Sequence, residues 1–158
     1  MKFAPGHVNA TTATLTLPRT LGLWGLLPFV GLALTLAFSD GTVRHSILFA
    51  LAAYGAVILS FLGGIHWGLV LQTAGEHKIG QIAYKRMLLA GVVPALVAWS
   101  GLLLWQRPGG LAILVVGFIA VLGLDYSAAR ANFVPDGYIS LRIGLTCVVV
   151  LCLAAGYV

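Results

Sequence analysis

The sequence predicts an all-α fold, an integral membrane bundle of five transmembrane helices, and three observations carry that prediction. Of 158 residues, 60% are hydrophobic and only 8% charged, against about 25% charged in a typical soluble domain. The apolar residues gather into five runs near the length that crosses hydrocarbon, about 20 residues each. Between the runs stand clusters of Gly, Pro and Asp, the residues that make turns.

The first run is Leu21–Phe38, and Ser39-Asp40-Gly41 ends it. The second is Ser46–Leu71, followed by a polar loop, Gln72–Arg86, with glycines at 75 and 80. The third is Met87–Trp105, closed by the tight turn Arg107-Pro108-Gly109-Gly110. The fourth starts at Leu111 and must continue past Asp125 to near Arg130; Pro135-Asp136-Gly137 then precedes the fifth, Tyr138–Val158. This organisation divides the chain into a short N-terminal tail, residues 1–18, and a single transmembrane domain, residues 19–158. The first run exceeds the apolar core of roughly 7–15 residues found in cleaved signal peptides, so it is expected to be retained as a helix.

The net charge of +5 carries no nucleic-acid signal, because the nine basic residues are spread along the chain without a stripe. In a membrane protein basic residues report orientation. Lys2, Arg19, Lys78, Lys85, Arg86, Arg130 and Arg142 fall on one side of a five-span bundle, and Arg44 and Arg107 on the other. That asymmetry predicts a cytoplasmic N-terminus and an external C-terminus in a bacterial inner membrane. Cys147 and Cys152 are five apart on an apolar stretch and point to different faces of a helix, which makes them poor partners for a disulfide. The histidines, His7, His45, His66 and His77, show no metal-ligand spacing, so neither a metal nor a cofactor is expected.

Two patterns could carry function. In the second run Ala52, Ala56, Ser60, Gly64 and Gly68 recur every four residues. Small residues at that spacing let another helix approach closely, since lipid gives apolar side chains no reason to associate. They suggest a packing seam, within the chain or toward a second copy or another subunit. Pro28 and Pro94 interrupt the first and third helices and leave the carbonyls of Trp24 and Ala90 short of a partner.

The second pattern is a set of polar and aromatic residues at shared depth. At 1.5 Å per residue, Asp125 stands roughly 21 Å along the fourth helix from Leu111, about 9 Å short of the boundary of a 30 Å hydrocarbon core. The same counting brings His66, Trp67, Tyr126, Arg142 and Trp24 to one layer at the cytoplasmic side. An ionised carboxylate at that depth needs a partner; Arg142 is the first candidate and His66 the second. The layer reads either as a structural ion pair with interfacial aromatics or as a ligand or proton site. No catalytic residue is assigned: Ser60 is about 9 Å along the helix from His66, and no nucleophile elbow is present.

One string is more specific. Ser60-Phe61-Leu62-Gly63-Gly64-Ile65-His66-Trp67-Gly68 stands with Leu21-Gly22-Leu23-Trp24-Gly25-Leu26-Leu27-Pro28-Phe29 before it. Leu124-Asp125-Tyr126 and Tyr138-Ile139-Ser140-Leu141-Arg142-Ile143-Gly144-Leu145-Thr146 follow. With these the chain resembles the domain of unknown function 3429 family, the transmembrane protein 69-like group, from about Arg19 onward. The resemblance implies a multi-pass membrane fold and supplies no activity.

The expected role is therefore non-enzymatic, an accessory or assembly factor of a membrane complex whose partners are the bilayer and other subunits or a second copy. The alternative is a binder or carrier of an amphipathic molecule, a quinone or lipid, held by the His66–Asp125–Arg142 layer.

Overall fold

The computed structural model describes residues 16–73, 81–130, 134 and 137–157. Five helices follow in order: α1 (Thr16–Ala37), α2 (Gly41–Thr73), α3 (Gln81–Leu103), α4 (Pro108–Arg130) and α5 (Tyr138–Ala154), which ends in a short 3₁₀ turn, Ala155–Tyr157. The tail before residue 16, the centre of the loop after α2 and Pro135-Asp136 lie outside the described residues.

Helix ends follow local chemistry and run further than the apolar runs alone suggest. α4 begins at Pro108 rather than Leu111, because proline's fixed φ and missing N–H suit the first helical position. Gly137, the N-cap of α5, adopts φ 82°, a left-handed conformation that only glycine takes without strain. At the start of α2 the Arg44 guanidinium donates to the Leu36 carbonyl, 3.2 Å away, and so satisfies an acceptor near the end of α1.

Four helices are long and apolar enough to cross a membrane: Thr20–Ala37, Gly41–Gly68, Gly109–Arg130 and Tyr138–Tyr157. α3 contributes a shorter apolar stretch, Leu88–Leu103, roughly 24 Å long at 1.5 Å per residue. Its first turns carry the polar and basic residues Gln81, Lys85 and Arg86, and Lys85 is exposed. The protein is a multi-pass membrane bundle; its described residues form five helices, four of them long and apolar enough to span.

The core runs through the bundle's centre, with Phe29, Leu36, Leu51, Leu59, Leu114, Phe118, Val121 and Leu153 almost fully buried. Phe29 of α1 meets Tyr54 of α2 and Phe118 of α4 edge-on, with centroids 4.9 and 6.2 Å apart. The Tyr54 hydroxyl donates to the Gly25 carbonyl at 3.0 Å, one residue from the Trp24 carbonyl that Pro28 leaves short of an intrahelical partner.

The closest helix contact joins α2 and α3. A Cβ at position 63 would stand 2.5 Å from the Gly91 carbonyl oxygen and 3.2 Å from Pro94 Cβ, and one at 91 would overlap the Trp67 indole. That indole donates to the Leu88 carbonyl at 2.9 Å. The small-residue stripe expected along α2 divides between the interior and the outer surface. Ala52 and Ala56 are buried, Ser60 is half-buried with its hydroxyl turned back to the Ala56 carbonyl, and Gly64 and Gly68 are exposed with open space around them. The reason is helical geometry: at about 100° per residue, a strict four-residue spacing drifts about 40° per step. After four steps the stripe has left the face it began on.

Candidate functional site

Three of the polar residues singled out in the sequence meet inside the bundle. Asp125 lies one turn before the end of α4, Arg142 one turn into α5 and His66 near the end of α2, which brings one end of each helix to the same level. All three are at least nine-tenths buried: Asp125 is 4% exposed, Arg142 7% and His66 7%. The Arg142 Nε donates to Asp125 Oδ2 at 2.6 Å. His66 Nε2 stands 3.5 Å from the other carboxylate oxygen, Oδ1, and the Tyr138 hydroxyl reaches the same oxygen at 3.5 Å. On its far side the imidazole Nδ1 is 3.2 Å from the Leu62 carbonyl, one turn back in α2.

Carboxylate and guanidinium compensate each other's charge, which burial in hydrocarbon demands. The cluster is nevertheless not saturated. Among the described residues, Arg142 Nη2 and His66 Nε2 are buried and have no hydrogen-bond partner. Buried donors and acceptors are nearly always satisfied, so these two atoms leave the cluster with unused hydrogen-bonding capacity.

Arg142 also lines a cavity of about 390 Å³, a size within the range of small-molecule sites. Tyr138, Leu141, Leu145, Thr146 and Val149 of α5 form one wall, and Gly22, Gly25, Leu26 and Phe29 of α1 another. Phe61, Leu62 and Ile65 of α2 and Phe118 of α4 complete it. From Arg142 to Val149 the cavity follows α5 for roughly 10 Å toward the middle of the bundle. Apart from Arg142, Tyr138 and Thr146 its lining is apolar. Leu21 and Phe61 line it yet are exposed on the outer surface, so its wall reaches the lipid-facing side.

The remaining members of the expected layer lie outside the cluster. Trp24 is 69% exposed. Trp67 and Tyr126 each follow a cluster residue by one position, a rotation of about 100°, and so face elsewhere. Trp67 covers Gly91, while Tyr126 accepts a hydrogen bond from Arg130 at 3.0 Å, with that guanidinium 4.8 Å from its ring centroid. This contact also occupies Arg130, whose place on another face of α4 keeps it from Asp125. Depth alone grouped these aromatics; facing separates them. Tyr138 and Thr146 were missed, although Tyr138, Arg142, Leu145 and Val149 recur at the three- and four-residue steps of one helix face.

A five-helix membrane bundle with a buried acid–base cluster beside an apolar cavity defines a class, a small polytopic membrane protein. The chain belongs to the family described as Protein of unknown function (DUF3429), which matches residues 15–158. It is 36% identical over 138 residues to "Transmembrane protein 69" of Xenopus tropicalis, covering 87% of this chain and 52% of that protein. It is 29% identical over 130 residues to "Transmembrane protein 69" of Mus musculus, covering 80% of this chain and 49% of that protein. The chain therefore spans about half the length of these curated relatives. No solved structure matches it significantly.

Proposed function

We propose that this protein binds an amphipathic small molecule within the bilayer, its polar head at Arg142 and Tyr138 and its apolar body in the cavity between α1, α2 and α5. The observation that carries the reading is the juxtaposition of the two: a buried guanidinium with an unpartnered Nη2 stands at one end of a cavity otherwise lined almost wholly by hydrocarbon. Ligand sites have this makeup, an apolar enclosure with few, well-placed polar groups. A quinone or a single-chain lipid has the matching shape. The site would belong to a bacterial inner-membrane protein with a cytoplasmic N-terminus, as the distribution of basic residues supports, and the head group would then enter from the cytoplasmic side.

An accessory role in a membrane complex is the second reading, and one observation favours it: Gly64 and Gly68 leave an exposed, small-residue face on α2. The two roles are compatible, since a ligand-bearing subunit can dock on others.

Native mass spectrometry of the detergent-solubilised protein tests the ligand reading, with decylubiquinone and cis-parinaric acid as neutral and acidic probes. At least one should bind one-to-one. Gly25→Phe should abolish that binding, because Gly25 lines the cavity and a Cβ there meets nothing within 4 Å, so the ring can occupy the ligand's space. Absence of stoichiometric binding for both probes, or binding untouched by Gly25→Phe, would overturn the proposal.

A further inference from the structure

We infer that the site takes a lipophilic monoanion together with one proton, and that His66 is the group that receives the proton. This rests on the ligand reading above and deepens it by naming the charge of the head group and the protein's response.

The argument begins with the tautomer of His66. A carbonyl oxygen can only accept, so the 3.2 Å contact between Nδ1 and the Leu62 carbonyl puts a hydrogen on Nδ1. In the neutral ring Nε2 then carries a lone pair. Nε2 is buried 3.5 Å from Asp125 Oδ1, an acceptor that offers it no proton, and has no hydrogen-bond partner among the described residues. A proton on Nε2, with a closer approach of the two atoms, would make a charge-assisted hydrogen bond to the carboxylate.

Charge balance supplies the second step. With a neutral imidazole, Arg142 and Asp125 cancel. Among the described residues, the other groups near the cluster do not alter the sum. Tyr138 on α5 is uncharged, α1 has no ionisable side chain from Thr20 to Ala37, and Lys85 on α3 is exposed. The unpartnered Nη2 of Arg142 is a donor aligned with no acceptor, and an anionic head is the ligand chemistry that uses it best. Yet an anion added to a neutral buried cluster leaves a net negative charge in low dielectric, which is costly. A proton on His66 removes it. Guanidinium and imidazolium together then balance the carboxylate and the head group. Each group contributes its part through a distinct contact: Arg142 Nη2 to the ligand, Arg142 Nε and His66 Nε2 to Asp125.

Binding an anion and binding a proton must favour each other to the same extent. The sign follows: affinity for the anion is high where His66 can be protonated and falls as pH rises. For uptake of one proton the limiting slope is about tenfold in Kd per pH unit.

The probe is an alkyl sulfonate, tetradecane-1-sulfonate, whose head stays ionised across pH 5–8, so any pH dependence belongs to the protein. Its Kd is measured directly at each pH by isothermal titration calorimetry, with decylubiquinone as the uncharged comparison. The expected result is a Kd for the sulfonate that rises with pH toward tenfold per unit, a pH-independent Kd for decylubiquinone, and a flat sulfonate profile in His66→Gln. Sulfonate binding that is lost in Gly25→Phe but independent of pH, or a slope unchanged in His66→Gln, would overturn the proton step while leaving the ligand reading intact. If neither probe binds in a Gly25→Phe-sensitive way, both inferences fail.

Discussion

The two sides of α2 are packed in opposite ways. Toward α3 the helix is sealed: Gly63 lies against the Gly91 backbone, and the Trp67 indole closes over Gly91 and bonds to the Leu88 carbonyl. Toward α1 and α5 the same helix presents Phe61, Leu62 and Ile65 to a cavity. Composition is similar on both sides, so hydrophobicity does not distinguish them. In lipid, helices associate through close packing and polar contacts. The α3 side uses backbone proximity; the α5 side relies on the charged bridge between α4 and α5. A bundle that needed only stability could have sealed both.

The largest expected effect lies on the α5 side. Asp125→Asn leaves the Arg142 charge without its counter-ion, and Arg142→Gln strands the carboxylate. Breaking a buried pair typically costs about 3–5 kcal/mol. Each single variant should therefore lower thermal stability in detergent markedly. The double variant should lose less than the sum, because the residues touch and neither charge is then left alone. Additive losses in this cycle would show that the 2.6 Å contact contributes no coupling, and the contrast between the two sides would collapse.

A smaller loss is expected on the sealed side. Gly63→Leu inserts a side chain where even a Cβ would stand 2.5 Å from a backbone oxygen. Overpacking of this kind costs about 1–3 kcal/mol and forces backbone shifts. The thermal midpoint should fall, and Trp67 fluorescence should change as α2 and α3 separate. An unchanged midpoint would mean that the α2–α3 contact is looser than its geometry indicates.

The number and order of the helices were legible in the sequence because membrane spanning is a one-dimensional constraint: length, apolarity and turn residues decide it. The depth of Asp125, Arg142 and His66 was legible for the same reason, since rise per residue is fixed. Facing was not. It depends on the phase of each helix relative to its neighbours, and that phase is set by packing. Trp67 and Tyr126 adjoin cluster residues in sequence and lie on other faces for that reason, and Trp24 is exposed on α1. The cavity was still less legible, because it is a property of gaps between α1, α2, α4 and α5 and leaves no signature in any one of them. Tyr138 could have been placed from its spacing to Arg142, since the two are four residues apart on one helix.

The smallest effect is expected one residue from the second largest. Gly64 follows Gly63 and belongs to the every-fourth-residue stripe, which Gly63 does not. Sequence pattern alone would therefore make Gly64 the sensitive position. The structure reverses the order: Gly64 is exposed, and a Cβ there meets nothing within 4 Å. In Gly64→Leu the new side chain enters surroundings as apolar as itself, so little is gained or lost by its contacts. Leucine is also the better helix former. The stability of the isolated chain should stay within about 0.5 kcal/mol of the wild type, as for surface changes that touch no special feature. The pair of variants, Gly63→Leu and Gly64→Leu, thus separates packing within the chain from packing between chains. If Gly64→Leu leaves the detergent-purified monomer stable yet lowers accumulation or cross-linked complexes in native membranes, the exposed face of α2 is covered there by another helix. If it destabilises the isolated monomer as strongly as Gly63→Leu does, the stripe faces a neighbour within the chain, and the assignment of Gly63 and Gly91 as the seam is wrong.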